Sequence, residues 1–320
     1  MARLSIDRIK AATYSIDSVF QNTPQYVCPG LSAALGCDVA LKVETLNPLR
    51  CFKGRGTETV LSRLDRNGSL KSVVCASAGN LGQALAYSGR KRGFDVTVTA
   101  SSSVNPLKLE RMRALGANVI LVDGQIEEAF EAALDYSDIT GAFLVQDSKN
   151  LDTCEGAGTI GLELANLPID LNTVLISLGA GAMATGVGFA IKNRRPATKV
   201  ICVQPVNAPA LTRSFLAGQV LESGPPNTIA DGVAGRYTIP EVLTDLLEVA
   251  DDALLVKEES IIKAMRLLYE QSGLIVEPAG ALGVACILEN KELFKGTCVA
   301  TVICGSNVSP KDFGNWMKGS

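Results

Sequence analysis

The sequence predicts an α/β protein, with doubly wound parallel sheets covered by helices and arranged as two lobes. Three observations carry this. Near-continuous apolar runs of β-rich residues alternate with helical patterns. Glycines stand where the helices are expected to end, at Gly93, Gly116 and Gly273. The length of 320 residues suits about two domains. Strands are expected at 39–43, 72–76, 95–99, 118–122, 173–177, 199–203 and 297–303. Helices are expected near 54–67, 80–92, 106–115, 125–139, 155–166, 183–194, 258–271 and 278–290. Right-handed crossovers between such strands build doubly wound sheets. Residues 72–146 contain three β-α units of their own and are set apart as a small, mobile lobe. Residues 1–71 and 147–320 form the large one. Ligands of open α/β sheets bind beyond the carboxyl ends of the strands, so chemistry is sought in the loops there.

Composition narrows the chemistry. Hydrophobic residues make up 47% and charged residues 20%, an ordinary globular mix. There is no histidine. That excludes a Ser-His-Asp triad, a His-paired cysteine nucleophile and His-ligated zinc. A base working near neutral pH must then be a carboxylate, a tuned lysine, a thiolate or a cofactor. Thirty Lys plus Arg against 33 Asp plus Glu give a net charge of −3. No dense basic stretch exists, so no nucleic-acid partner is expected. None of the nine cysteines is spaced C-x-x-C, and most lie in apolar runs. Reduced thiols in a cytoplasmic protein are the simplest reading, and no metal site is assigned. The N-terminus lacks the apolar core of a signal peptide. Residues 171–191 carry no charge but hold four glycines, which predicts a buried strand, a glycine loop and a buried helix rather than a membrane span.

Four loops carry candidate chemistry. In the first, Cys51-Phe52-Lys53-Gly54-Arg55-Gly56 opens a helix after Asn47-Pro48. A lysine between a phenylalanine and small residues is suited to partial burial, which favours its neutral, nucleophilic amine. In the second, Ser77-Ala78-Gly79-Asn80-Leu81 joins a strand to a helix, where N–H groups and the helix dipole favour an anion. In the third, Gly179-Ala180-Gly181-Ala182-Met183 is a neutral backbone cradle suited to phosphate. It also fits a dinucleotide pattern, Gly179-x-Gly181-x-x-Ala184. That pattern needs an acidic residue about 20 positions on, and the next strand ends instead at Gln204-Pro205. In the fourth, Cys304-Gly305-Ser306-Asn307 follows the last strand and offers a thiol as a weak hydrogen-bond partner. A lysine for carbonyl chemistry, a phosphate cradle and a polar turn for a carboxylate are together what a pyridoxal phosphate enzyme acting on an amino acid requires.

These segments resemble the fold-type II pyridoxal phosphate enzymes, the tryptophan synthase β-like fold, and among them the serine/threonine dehydratases. The likeness spans nearly the whole chain. It runs through 41–48 with Phe52-Lys53-Gly54-Arg55-Gly56, through Ser77-Ala78-Gly79-Asn80 and through Gly179–Met183. It continues through Thr228-Ile229-Ala230-Asp231-Gly232 and Glu277-Pro278-Ala279-Gly280-Ala281, and ends at Cys304-Gly305-Ser306-Asn307. The resemblance implies two lobes with the cofactor, pyridoxal 5'-phosphate, between them. It implies that Lys53 forms the Schiff base and later removes the Cα proton. Asn80 would bond the cofactor's phenolic oxygen, and Phe52 would lie at the cofactor. Gly179, Ala180, Gly181, Ala182 and Met183 would hold its phosphate through backbone N–H groups, and Cys304 would sit at the ring nitrogen. Ser77, Ala78, Gly79, Asn80 and Leu81 would meet the substrate. Glu277 is open between a site role and a structural loop carboxylate.

Departures from the family pattern sharpen the expectation. Racemases of the family place a serine where this chain has Ala78, which has no proton to give. Relatives often have a histidine or a small residue at Leu81, so the pocket is expected to be unusual. Many relatives place a cation-binding glutamate where this chain has Gln204, which argues against a divalent metal. The expected activity is β-elimination, a dehydratase or ammonia-lyase reaction. It would convert serine, threonine or a bulkier 3-hydroxy amino acid into a 2-oxo acid and ammonia. The alternatives are a β-replacement synthase of the cysteine synthase type and a non-catalytic cofactor- or amino-acid-binding regulator. The resemblance also implies a homodimer. The end at Ser320 leaves no room for an appended regulatory domain, so control by isoleucine is not expected.

Overall fold

A computed structural model describes residues 3–66, 68, 71–104 and 106–318. Among these residues, ten strands make two sheets. They are β1 (Gln25–Val27), β2 (Asp38–Val43), β3 (Ser72–Ala76), β4 (Asp95–Ser101), β5 (Asn118–Val122), β6 (Phe143–Leu144), β7 (Thr173–Ser177), β8 (Lys199–Pro205), β9 (Asp252–Val256) and β10 (Cys298–Ile303). The larger sheet has the order β1-β2-β10-β7-β8-β9, and the smaller one β5-β4-β3-β6. All pairings are parallel except β1 with β2. The doubly wound parallel fold expected from the strand-helix alternation is thus present.

All seven expected strands occur, with shifts only at their ends. Thr297 falls outside β10, and the helix expected to reach 67 runs Lys53–Arg66, position 67 lying outside the described residues. The helix expected over 278–290 begins as a 3₁₀ turn, Pro278–Ala281, and continues as Leu282–Glu289. Three strands escaped the sequence reading. β1 and β6 are only three and two residues long, and β9 is a half-buried edge. β1 and β6 are too short to present a sustained apolar run, and the Ala253–Val256 run of β9 was overlooked. The segment 171–191 divides into β7, a glycine loop and the helix Ala182–Arg194, and no helix of the described residues is long and apolar enough to cross a membrane.

Burial explains the stacking. β10 has every residue buried, as a central parallel strand requires. Val299, Val302 and Ile303 pack with Val39, Leu41, Val174 and Ile176 in the core of the larger sheet. The smaller sheet has its own core, in which Val73, Cys75 and Val98 meet Leu85 and Met112. Each fully buried side chain of this size contributes about 1.5–3 kcal/mol. The helices Lys53–Arg66, Leu151–Ala165 and Ala182–Arg194 pack nearly backbone to backbone. At Gly186 an added Cβ would lie 1.9 Å from the Cys154 carbonyl oxygen, so only glycine permits that approach. These three helices carry or follow three of the loops that form the site.

Candidate active site

Lys53 is fixed by the turn before it. After β2 the chain bends around Asn47, whose Nδ2 donates to the carbonyls of Glu44 (2.8 Å) and Cys51 (3.1 Å) while Oδ1 accepts from Leu49 N–H (2.9 Å). Cys51 then bridges to Gly305, and Phe52 N–H donates to the Cys304 carbonyl at 3.1 Å. Lys53 therefore starts its helix beside the carboxyl end of β10. Behind it, Arg55 is fully buried and locks the helix in place. Its guanidinium binds Glu44 through two contacts of 2.8 Å, Glu163 at 2.7 Å and Thr159 at 2.9 Å. Lys42, also fully buried, meets Glu163 at 2.5 Å and the Thr23 carbonyl at 2.8 Å.

The Lys53 amine opens into a cavity of about 330 Å³ between the sheets. Of the residues expected at a site, Phe52, Lys53, Ser77, Ala78, Gly79, Asn80, Leu81, Gly179, Gly181, Met183, Glu277 and Cys304 line it. Ala180 and Ala182 do not. The Ala182 N–H donates to Ser148 Oγ at 2.8 Å, so one group of the cradle is already partnered. Gly181 takes φ 114°, a region that favours glycine, and a Cβ there would come 2.3 Å from Val242. The helix Ala182–Arg194 begins at this turn, and the first N–H groups of a helix have no intrahelical acceptor.

Ser77 shapes its loop as well as lining the cavity. Its Oγ accepts from Gly79 N–H (3.1 Å) and Gly82 N–H (3.0 Å), which organises the start of the helix Asn80–Arg92. Asn80 is held at both ends of its amide. Nδ2 donates to Glu277 Oε1 (2.9 Å), and Oδ1 accepts from Asn307 Nδ2 (2.8 Å). A carboxylate only accepts, so Glu277 dictates this amide orientation. Nδ2 also lies 3.3 Å from Glu277 Oε2. Glu277 also accepts from Asn307 N–H at 3.1 Å. Burial pushes its carboxyl above the usual range, and the charge of Asp231 adds to this. The Asn80 hydrogen bond, Lys108 and Asn307 N–H pull the other way. Gly305 makes room for it, since a Cβ there would meet Glu277 Oε1 at 2.1 Å. At the cavity floor, burial pushes the Cys304 thiol well above its ordinary value, with Glu277 acting in the same direction, so the thiol stays protonated.

Several cavity groups escaped the sequence reading. Asp147, on the loop before the helix Leu151–Ala165, puts Oδ2 2.5 Å from Lys53 Nζ. Lys108 of the smaller sheet's lobe pairs with Asp231 of the larger one at the cavity mouth. The segments of Asp231 and Asn307 were visible as motifs; nothing in the pattern around 147 gave a signal. Gln204 is buried, accepts from Thr212 N–H at 2.8 Å, and leaves Nε2 with no hydrogen-bond partner. An unpartnered N–H donor is the opposite of a cation ligand.

The chemistry of this donor set fits a phosphorylated aldehyde with an aromatic ring. It offers an amine for the carbonyl, an oriented amide for a phenolic oxygen, helix N–H groups for phosphate and a neutral thiol for a ring nitrogen. The family described as pyridoxal-phosphate dependent enzyme matches residues 16–305. L-threonine ammonia-lyase of Thermotoga maritima is 34% identical over 305 residues, covering 95% of this chain and 76% of that protein. L-threo-3-hydroxyaspartate ammonia-lyase of a Pseudomonas species is 28% identical and covers 98% of both chains. The structure of maize serine racemase superposes with a TM-score of 0.91 at 27% identity, covering 98% of this chain and 96% of that one. A cavity with these groups, in a chain matched over nearly its whole length, leaves one assignment: the protein belongs to the pyridoxal-phosphate dependent enzymes, and pyridoxal phosphate is its cofactor.

Proposed function

We propose that this enzyme is a lyase that eliminates water and then ammonia from a 3-hydroxy amino acid, giving a 2-oxo acid. The observation that carries the reading is the content of the cavity: the amine of Lys53, an oriented Asn80, a helix-terminal cradle and a neutral Cys304, with only a methyl group at Ala78. Bound pyridoxal phosphate supplies the electron sink for charge developing at Cα. Lys53 would hold the cofactor through its amine, and the same amine would take the Cα proton. Gly179, Gly181 and Met183 would hold the phosphate at the helix terminus, and Asn80 would orient the ring through its amide. Phe52 lies beside Lys53, with Nζ 4.6 Å from its ring centroid. The loop Ser77–Leu81 receives the substrate carboxylate. The buried Cys304 thiol would meet the ring nitrogen as a neutral, weak proton donor. Early departure of the β-hydroxyl suits that arrangement.

Elimination is favoured over racemisation because Ala78 cannot return a proton to Cα. Residues 72–146 act as the small lobe that closes over the substrate, while 1–71 and 147–320 hold the cofactor. The Lys108–Asp231 pair between the two sheets supports this division. The enzyme is read as a cytoplasmic homodimer. All nine cysteines are free, which agrees with a reducing compartment, and sedimentation would measure the dimer. The test of function is a panel of 3-hydroxy amino acids scored for 2-oxo acid and ammonia. Release of both, lost in Lys53→Ala, supports the reading. Product formed only when sulfide or a thiol is added would replace it with a β-replacement synthase.

A further inference from the structure

Asp147 takes no part in the reading above, yet its Oδ2 lies 2.5 Å from the nitrogen that does the chemistry. Both side chains line the cavity, and both are mostly shielded, Lys53 at 18% exposure and Asp147 at 19%. The backbone holds Asp147 from both sides. Gln146 N–H donates to Asn150 Oδ1 at 2.6 Å, and Ser148 N–H donates to Thr153 Oγ1 at 3.0 Å. Cys154 Sγ donates to the Ser148 carbonyl at 3.3 Å, and Ser148 Oγ accepts from Ala182 N–H. Ser148 is fully buried at φ 68°, a conformation costly for any residue but glycine. Such strain persists only where the surroundings over-determine it, and it clusters at working sites. Here it aims the preceding carboxylate at Lys53.

We propose that Asp147 is a catalytic carboxylate that stabilises positive charge on the Lys53 nitrogen and holds that nitrogen at the reacting face of the cavity. The proposal rests on the elimination reading for its place in turnover. In that step the Cα–H bond breaks, the proton passes to Lys53 Nζ, and the electron pair is taken up by the bound cofactor. In this step Asp147 exchanges no proton. Its charge stabilises the ammonium product of the transfer, and therefore the part of that charge already formed in the transition state. Sequence elements on both sides of the cavity meet in this pair, which is why no single motif contains it.

The other ionisable groups around the pair do not duplicate its effect. Cys51 and Cys304 lie near Lys53, and Cys75 and Cys154 near Asp147. Burial pushes Cys51, Cys75 and Cys154 up to about 12 and Cys304 further, so the four thiols stay neutral over the working range. Glu277 is a buried carboxyl hydrogen-bonded to Asn80, and Lys108 and Asp231 are paired with each other.

The test is a pH titration of the resting holoenzyme with no amino acid added. The protonated linkage between Lys53 and the cofactor absorbs visible light, and the band fades as the linkage loses its proton. In Asp147→Asn the midpoint should fall by about one pH unit or more, a tenfold change in proton affinity, because an opposite charge at contact favours the charged form. Asp147→Glu should recover most of the shift. An unchanged midpoint in Asp147→Asn overturns the proposal. If that variant does not retain cofactor, the comparison moves to the cofactor-free protein. There the pH dependence of Lys53 modification by an amine reagent, located by mass spectrometry, should shift the same way, and no shift overturns the proposal. A wild-type protein with no visible band overturns both the proposal and the cofactor linkage beneath it, an outcome distinct from a band that does not move.

Discussion

The helix that begins at Lys53 has a cluster of charges on each side, each mixing cations with carboxylates. Behind it, Lys42, Glu44, Arg55 and Glu163 interlock with no open space between them. In front of it, Lys53, Asp147, Glu277, Lys108 and Asp231 surround a cavity. Lys42 is the more buried lysine, at 0% exposure against 18% for Lys53. Burial therefore does not distinguish the reactive amine from the structural one. What distinguishes it is volume. The rear cluster contains two cations and two anions and spends its hydrogen bonds on one another and on neighbours such as Thr23 and Thr159. The front cluster leaves a helix terminus and an amine beside space for a ligand.

The comparison can be broken most decisively at its two lysine-helix residues. Lys53→Ala should lower kcat/KM by about 10⁴-fold, since the other amine lining the cavity, Lys108, is held by Asp231. Its melting temperature should stay close to that of the wild type, measured in the cofactor-free form. Arg55→Met should do the reverse. It strands two carboxylates in the interior and should cost about 3–5 kcal/mol of stability, read from denaturant unfolding. If Arg55→Met unfolds at the wild-type midpoint, the rear cluster is not what anchors the helix.

Two glutamates sharpen the contrast through pH. Burial pushes Glu163 up, but the Arg55 hydrogen bond and charge, with Lys42, outweigh it and hold the carboxyl below its ordinary value of 4.5. A depressed value contributes stability above the unfolded-state pKa, and that stability is lost as pH falls through the folded value. Glu277 is shifted upward, so its ionised form is penalised in the fold above its folded value, and the penalty is relieved as pH falls towards 4.5. Glu163→Gln should therefore flatten the acid loss of stability, and Glu277→Gln should remove a gain on mild acidification. Melting curves from neutral pH to below 4.5 would show both signs, that of Glu277 above 4.5 and that of Glu163 below it, and equal signs would undo the distinction. A smaller effect is expected at Ala78→Ser, where racemisation should become measurable while elimination changes by less than about tenfold. No gain in racemisation would count against the role given to the missing hydroxyl. The smallest effect is expected from a chelator, which should leave the melting temperature unchanged because Gln204 presents a donor where a cation would need an acceptor.

Legibility in the sequence followed the locality of the signal. The central strands announced themselves as apolar runs, and the loops after β3, β7 and β10 as glycine-rich turns beyond strand ends. Lys53 was legible because its neighbours were. Asp147 was not, because it follows a strand of two residues and gains meaning only across the cavity from a residue 94 positions away. The same holds for Glu277 and Gly305, whose fit is a steric fact between separate elements. Asn307 was readable as part of a motif, but its hold on Asn80 was not. The rear cluster joins residues 42, 44, 55 and 163, which share no spacing that a pattern could reveal.

Ser148 carries a consequence for how this enzyme can change. Its backbone asks for glycine, while its hydroxyl is the partner of the Ala182 N–H at the phosphate cradle. No residue type satisfies both demands. Replacement by glycine would relax the backbone, yet it would leave the buried Ala182 N–H without its partner and loosen the loop that aims Asp147. Backbone relaxation and the needs of the site thus pull on one position in opposite directions.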